Sequence, residues 1–255
     1  MGQSKNIFIH IPKTGGSTFV GLLKESINSP KEIDSKPTHL TNQVGNVTII
    51  HIDFSSEDRK IKSPHLFSLK NDVFHNENQK FFMLVRDPVD RIISEFNFQF
   101  HILNGKNGNP AAGIISRLPK IPNDIMEYIR FPHVQNYQLK FLLGRRLSDP
   151  TPVTNEEYST VIQILDSPQF YCGTTDMYDH FAEQFQHKTG IQLKRTTTIR
   201  KETPKKLKQE IPESLKEEIR ILNSFDQKLY EHVKENIIQD SQSEFIFTHS
   251  SKFIV

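Results

Sequence analysis

The chain of 255 residues is poor in cysteine and has no long apolar run. Its single cysteine, Cys172, excludes an internal disulfide and is typical of a reducing compartment. No apolar run approaches the roughly eighteen residues that a transmembrane helix needs, so no transmembrane segment is expected. The net charge is only +2, which gives no overall sign of a polyanionic partner such as nucleic acid.

Metal-ligand spacings are also missing. The sequence has eleven histidines but no H-x-x-x-H or C-x-x-C spacing, so no metal site is expected. The first strand signal begins within a few residues of Met1, which leaves no room for a signal peptide. We therefore predict a cytoplasmic protein that folds as a single domain over residues 1–255, with an anchor outside this sequence as the alternative.

The most informative segment runs from residue 7 to residue 19 and reads I-F-I-H-I-P-K-T-G-G-S-T-F. Residues 7–11 are mostly apolar and β-branched, which predicts a central strand. Pro12 cannot donate to a strand ladder, so the strand should end there. Gly15 and Gly16 allow a tight turn and a close approach of the backbone to a ligand.

The residues around this turn favour an anion. Ser17 and Thr18 are candidates to cap a following helix, whose N-terminal N–H groups and dipole attract negative charge. Lys13 adds a full positive charge. In a Walker A loop, G-x-x-x-x-G-K-[ST], the lysine follows the last glycine, whereas here it precedes both. The segment therefore predicts a phosphate-binding loop that is not of the usual nucleoside-triphosphate type, with a ligand-free β-α turn as the alternative.

A second strand-turn-helix unit follows at residues 80–96. The apolar residues 81–85 predict a strand, and Asp87 followed by Pro88 is typical of a helix start. Arg86 lies between them, at the carboxyl end of the strand, where open α/β sheets bind ligands. Arg91, further along the helix, either reaches the ligand or forms a surface ion pair with Asp87 or Glu95, and we expect the surface pair.

The loop P-K-T-G-G-S-T-F resembles the 5′-phosphosulfate loop of sulfotransferases, especially the carbohydrate enzymes related to heparan sulfate 2-O-sulfotransferase. The run V-R-D-P-V-D-R-I-I-S resembles their 3′-phosphate segment. The resemblance implies the donor 3′-phosphoadenosine 5′-phosphosulfate (PAPS), with 3′-phosphoadenosine 5′-phosphate (PAP) as product. It implies that PAPS is bound by Lys13, Thr14, Gly15, Gly16, Ser17 and Thr18 at one phosphate and by Arg86 and Ser94 at the other.

Transfer to an acceptor hydroxyl needs a base that removes its proton, and a histidine is a suitable residue for this role. His51 ends the strand-like run V-T-I-I-H and resembles the histidine of the family's G-H-x-x-F segment, although Ile50 replaces the glycine. The resemblance implies that His51 is the catalytic base. The alternatives are a core histidine at this position, or a carboxylate base such as Asp53 or Glu95. Lys13 would also act in catalysis, by neutralising charge on the bridging oxygen.

Two later segments contain polar residues that are candidates for binding the acceptor or the donor. Residues 135–144 resemble a family segment near the acceptor, so Asn136, Gln138 and Lys140 either line an acceptor cleft or form a solvated helix face that ends at Gly144. A basic segment at 193–206 matches a family loop that closes over the nucleotide, which implies a donor-binding role for Arg200 and Lys201. Nucleic-acid binding and a solvated charge run are its alternatives.

The predicted fold is a three-layer, P-loop-like α/β domain with a mostly parallel central sheet and helices on both faces. We expect a strand at 169–174, helices at 213–222 and 225–238 against the sheet edge, and loops at 30–46, 55–79 and 103–113. The predicted function is PAPS-dependent O-sulfation of an acceptor hydroxyl, on a carbohydrate. The alternatives are a P-loop nucleotide kinase and a non-catalytic nucleotide- or glycan-binding module, and the sequence does not indicate an oligomeric state.

Overall fold

The computed structural model describes residues 5–27, 41–44, 47–51, 79–99, 115, 118–145, 149–194 and 210–250. Within these ranges the chain forms five strands: β1 Lys5–His10, β2 Thr41–Val44, β3 Val47–His51, β4 Gln79–Val85 and β5 Phe170–Thr174. The same ranges contain eight α-helices: α1 Gly16–Ser26, α2 Pro88–Asn97, α3 Ile125–Arg130, α4 Tyr137–Leu142, α5 Asn155–Leu165, α6 Tyr178–Thr189, α7 Glu213–Leu222 and α8 Ser224–Ser250. Short 3₁₀ turns follow α3 at Pro132–Val134 and β5 at Thr175–Met177.

The strands form one sheet in the order β2-β3-β1-β4-β5. Strands β3, β1, β4 and β5 run parallel, and only β2 is antiparallel to its neighbour. After β1 the chain visits β2 and β3 on one side of β1 and then β4 and β5 on the other, so the strand order reverses at β1. The carboxyl end of β1 is therefore a topological switch point, where open α/β sheets bind ligands.

Helices cover both faces of the sheet, as predicted. One face is mainly aromatic and joins Phe8 of β1 and Phe82 of β4 to α1 and α6. Its ring centroids are close: Phe19 of α1 lies 4.5 Å from Phe8 and 4.9 Å from Phe185 of α6. The opposite face is mainly aliphatic, and Ile7, Ile9 and Met83 pack there against α2 and α8.

Helices α4 and α8 cap each other's N-termini. The side-chain oxygen of Asn136, the residue before α4, accepts from the backbone N–H groups of Phe225 and Asp226 at 3.0 and 3.1 Å. In return, the buried Asp226 carboxylate accepts from the N–H groups of Gln138 and Leu139 at 3.0 and 2.9 Å. Because each cap satisfies first-turn N–H groups of the other helix, the two helix starts are fixed relative to one another.

The predicted strands and helices are largely confirmed, with three differences. Residues 41–44, placed in a loop by the sequence, form β2, a short polar strand beside β3. Helix α7 has the predicted bounds but packs on α2 and α3 rather than on the sheet, whereas α8 is longer than predicted and contacts β4 and β5. The loop predicted at 103–113, most of the one at 30–46 and all but Gln79 of the one at 55–79 lie outside the described residues, and the single-domain organisation stays a prediction.

The end of β5 is tied to α8 by a charged cluster. The Asp176 carboxylate accepts from Lys234 Nζ at 2.8 Å and from the Tyr230 hydroxyl at 2.9 Å. Partial burial acts to raise the pKa of Asp176, but these hydrogen bonds outweigh it and lower the pKa to about 2. Among the helices that the structure describes, none combines the length and the apolar character required to cross a bilayer.

Candidate active site

The carboxyl ends of the parallel strands bring the candidate residues to one edge of the sheet. In the strand register His10 of β1 is opposite His51 of β3, and Val85 of β4 is opposite Thr174 of β5. The loop after β1 leads into α1, and Arg86 follows β4 directly. The sheet thus brings together the two segments that sequence analysis had linked to phosphate binding.

The loop after β1 is tightly wound. The buried Thr14 hydroxyl donates to the carbonyl of Ile11 at 2.8 Å, so Thr14 closes the turn from inside. Lys13 has a φ of 69° and Gly15 a φ of 81°, both in the left-handed region. Glycine adopts this conformation without penalty, whereas for lysine it is unfavourable by about 1–2 kcal/mol. The surrounding contacts must therefore hold Lys13 in place.

The two glycines are needed for different reasons. A Cβ on Gly16 would lie 2.1 Å from Cδ2 of His10, so the histidine ring fills the space that any larger residue would require. Gly15 is the N-cap of α1, and its carbonyl accepts from the N–H of Thr18 at 2.9 Å. No described side chain caps this helix, and the predicted capping role of Ser17 and Thr18 is wrong, because the helix already begins at Gly16.

Lys13 is held at its backbone and contacted at its side chain. Its carbonyl accepts from Arg86 Nη1 at 3.3 Å, which joins the two predicted phosphate-binding segments directly. Its ammonium lies over the ring of Phe98, 4.1 Å from the centroid, in cation–π geometry. The lysine therefore extends along α2 from the helix start towards its last turn.

The side chain of Arg86 is 28% exposed and pairs with one acidic side chain among the described residues, that of Asp90. Its Nη2 is 3.9 Å from the exposed Asp90 carboxylate, and its buried Nε donates to no acceptor among the described residues. Burial lowers the pKa of Arg86, and the neighbouring Asp90 only partly offsets this effect. The Asp87 side chain accepts from the N–H groups of Val89 and Asp90, which confirms the predicted helix start.

Ser94 lies on the same side of α2 as these contacts. Residues spaced four apart form a row along a helix, and Asp90, Ser94 and the C-cap Phe98 of α2 are spaced in this way, while Arg86 precedes the helix and pairs with Asp90. Because Lys13 contacts Arg86 through its carbonyl and Phe98 through its ammonium, it runs beside this row. The half-buried Ser94 is thus positioned on the helix face that Lys13 follows.

Arg91 does pair with Glu95, but not at the surface as expected. The distance from Arg91 Nη1 to Glu95 Oε2 is 2.6 Å, and only 1% of the arginine side chain and 4% of the glutamate side chain are exposed. Its guanidinium carbon stacks 4.1 Å from the Tyr137 ring centroid. Burial acts to lower the pKa of Arg91, but Glu95 and its other neighbours outweigh burial and raise it.

The polar residues of the α4 segment do not line a cleft, and they do not form a solvated face. The fully buried Gln138 side chain donates to the carbonyl of Arg86 at 2.8 Å and accepts from its N–H at 2.9 Å. Lys140 Nζ is bound by the carbonyls of Pro132 and Asp149 at 2.7 and 3.0 Å. Burial lowers the pKa of Lys140 to about 8. These side chains hold backbone segments, including the one that carries Arg86.

The remaining candidates are described only in part. His51 is the last residue of β3, on the strand next to β1 and level with His10, and its backbone position fits the predicted edge of the sheet. Its side chain, and all of Arg200 and Lys201, lie outside the described structure, so their roles stay predictions. Within the described ranges, no group of three or more histidine, cysteine or acidic side chains is placed to hold a metal ion.

Two neighbours of the site, Phe98 and Thr175, were not predicted from the sequence, and a third, Gln138, was expected at the acceptor rather than beside Arg86. Phe98 contacts Lys13, Gln138 holds the backbone of Arg86, and the Thr175 methyl would lie 3.3 Å from a Cβ on Gly15. For Phe98 a signal existed, since it lies one further turn along the helical row that contains Asp90 and Ser94. The other two depend on tertiary contacts that local patterns do not encode.

A strand-loop-helix turn at the switch point of a parallel sheet, with an arginine from the next strand, is an arrangement that favours phosphate-like groups in α/β proteins. The model of the sulfotransferase family matches residues 2–233 of the chain. This protein therefore belongs to the sulfotransferase family, and sulfuryl transfer is its general activity. A search of curated proteins finds no match.

Proposed function

We propose that this protein transfers the sulfuryl group of PAPS to a hydroxyl of a carbohydrate acceptor, with His51 as the base. The proposal rests mainly on the contact between Arg86 and the carbonyl of Lys13. This contact places a loop that suits the 5′-phosphosulfate beside an arginine that suits the 3′-phosphate. Two separated anion sites at one sheet edge fit a donor that carries a phosphosulfate at its 5′ position and a phosphate at its 3′ position.

The residues present fit such a donor at both ends. The N-terminus of α1 and the left-handed Gly15 form an anion-binding turn, to which Lys13 adds a charge. The Arg86 side chain is 28% exposed, and its guanidinium has the fork geometry that suits phosphate recognition. We assign Ser94 to the same phosphate, and Arg200 and Lys201 to the outer side of the nucleotide.

Each of these residues has a distinct role in the proposed reaction. PAPS supplies the activated sulfuryl group. Lys13 binds the phosphosulfate and neutralises negative charge on the bridging oxygen as it develops, a form of stabilisation that is often the largest catalytic term. His51 removes the proton from the acceptor hydroxyl. The main contribution of the protein is to align donor and acceptor, as in phosphoryl transfer.

The first test compares PAP with ADP by titration calorimetry on the purified chain. We expect micromolar affinity for PAP and little binding of ADP, because only PAP carries the 3′-phosphate assigned to Arg86. Lys13→Ala and Arg86→Ala should each weaken PAP binding by at least tenfold. Lys24→Ala and Arg130→Ala remove a lysine of α1 and an exposed arginine of α3, and these matched controls should bind PAP normally. Equal or tighter ADP binding would instead support the kinase alternative.

The second test uses labelled PAPS with a panel of sugar acceptors. His51→Ala should abolish transfer and keep PAP affinity, whereas His187→Ala, at an exposed histidine of α6, should change neither. Near-normal transfer by His51→Ala would exclude His51 as the base. PAP binding without transfer to any acceptor would favour a non-catalytic binding module.

A further inference from the structure

Arg91 is the largest fully buried side chain of the described structure, and it reaches the loop that follows β1. Its Nη1 group donates a long hydrogen bond of 3.5 Å to the carbonyl of Pro12. Because only 1% of the side chain is exposed, Arg91 cannot contact a bound nucleotide from this position. Any effect of Arg91 on binding must therefore pass through the backbone of the loop.

The two peptide planes on either side of Lys13 are each held by an arginine. The carbonyl of Pro12 belongs to the plane before Lys13 and accepts from Arg91, and the carbonyl of Lys13 belongs to the plane after it and accepts from Arg86. The orientation of these two planes sets the φ and ψ of Lys13. The left-handed conformation of Lys13, which lysine alone disfavours, is thus held from both sides.

The partner of Arg91 is itself anchored. Glu95 Oε1 accepts from Gln99 Nε2 at 3.1 Å, and Gln99 Oε1 accepts from the N–H of Ile115 at 3.0 Å. A buried ion pair is weak evidence for stability, since apolar replacements of the whole pair are often neutral or stabilising. An anchored chain of buried polar groups that ends on the loop backbone instead indicates a role in holding the shape of the loop.

We propose that Arg91 is a positioning residue that fixes the loop conformation in which Lys13 and the N-terminus of α1 bind the 5′-phosphosulfate. This inference rests on the proposed function, and it assigns Arg91 to the 5′ side of the donor alone. Arg86, by contrast, serves both sides, because it holds the carbonyl of Lys13 and is assigned to the 3′-phosphate.

The test separates the two phosphates with three ligands: PAP, adenosine 5′-monophosphate and adenosine 3′-monophosphate. The variant is Arg91→Met with Glu95→Gln, which removes the ion pair without leaving a buried charge and keeps an oxygen acceptor for Gln99. We expect about tenfold weaker binding of PAP and of the 5′-monophosphate, and unchanged binding of the 3′-monophosphate. A role in stability alone would instead lower the melting temperature and weaken all three ligands together.

The matched control is Arg145→Met with Glu157→Gln. Arg145 also pairs with a glutamate and also donates to backbone carbonyls, those of Thr151 and Pro152, but none of these partners belongs to the loop after β1. This control should leave the affinity for all three ligands unchanged. If the Arg91 double variant does not fold, Arg91→Lys takes its place, because a lysine keeps the charge beside Glu95 but lacks the planar guanidinium that presents Nη1 to both Glu95 and the carbonyl of Pro12.

Two results would overturn the inference. One is wild-type affinity for PAP in a folded Arg91 variant, and the other is an equal loss for the 3′-monophosphate and the 5′-monophosphate. Failure of the wild-type protein to bind PAP is a different outcome, since it would remove the proposed function itself.

Discussion

Replacement of Gln138 tests whether this side chain supports Arg86 or contacts the acceptor. In Gln138→Met the unbranched chain is kept, but both hydrogen bonds to the backbone of Arg86, at 2.8 and 2.9 Å, are lost. Each backbone group left without a partner costs about 1–2 kcal/mol at this partly buried position, which gives about 2–4 kcal/mol in total. At roughly 2–4 °C per kcal/mol for a chain of this size, the melting temperature should fall by at least about 4 °C.

The matched control is Gln135→Met, three residues earlier. The Gln135 side chain makes one hydrogen bond, from Nε2 to the carbonyl of Ile129 at 3.1 Å, so its loss should cost only about 0.5–1.5 kcal/mol. Denaturant unfolding and PAP titration are measured on both variants, and only Gln138→Met should also weaken PAP binding, because Arg86 loses its support. A Gln138→Met protein as stable as Gln135→Met, with a change only in the KM for the acceptor, would refute this reasoning.

Three further predictions concern packing and pH. Gly16→Ala should lower the free energy of unfolding by about 1–3 kcal/mol, because the added Cβ meets the ring of His10. In a double-mutant cycle, His10→Ala should restore most of this stability, and additive effects of the two substitutions would contradict the contact. The hydrogen bond from Lys234 and its other partners lower the pKa of Asp176 to about 2. The stability that Asp176 contributes is therefore present above about pH 4 and is lost as the pH falls through 2. Asp176→Asn should remove this part of the acid dependence when unfolding curves are measured at several pH values. For Lys140, whose pKa is lowered to about 8 by burial, the unfolded state binds more protons between pH 8 and about 10.5, so stability should rise with pH over that window in the wild type but not in Lys140→Met.

Local patterns were sufficient for the two strand-loop-helix units. The apolar runs that form β1 and β4, the glycine turn before α1 and the Asp87–Pro88 helix start are all encoded within a few neighbouring residues. Their union at one edge of the sheet also follows, because parallel strands place their carboxyl ends together. The fold class and the presence of both segments at one edge of the sheet could therefore be predicted from the sequence, whereas the contact between Lys13 and Arg86 was not predicted.

The environment of the polar side chains could not be predicted from the sequence. Gln138 and Lys140 have polar side chains, and polar residues on a short helix are usually solvated or functional. Their actual partners are backbone groups of Arg86, Pro132 and Asp149, and only the tertiary structure brings these together. The same reason explains Arg91, whose pairing with Glu95 follows from helix spacing but whose burial depends on the packing of Tyr137 against it.

The aromatic face of the sheet has a consequence for synthesis on the ribosome. Helix α1, which begins at the glycine turn, buries Phe19 against Phe181 and Phe185 of α6, with ring centroids 5.3 and 4.9 Å apart. The N-terminal part of the chain emerges first, yet it cannot complete this packing until the segment that carries Phe185 has been translated. A nascent chain stalled before α6 would leave Phe19 without these two partners, so the glycine turn would acquire its final support late in synthesis.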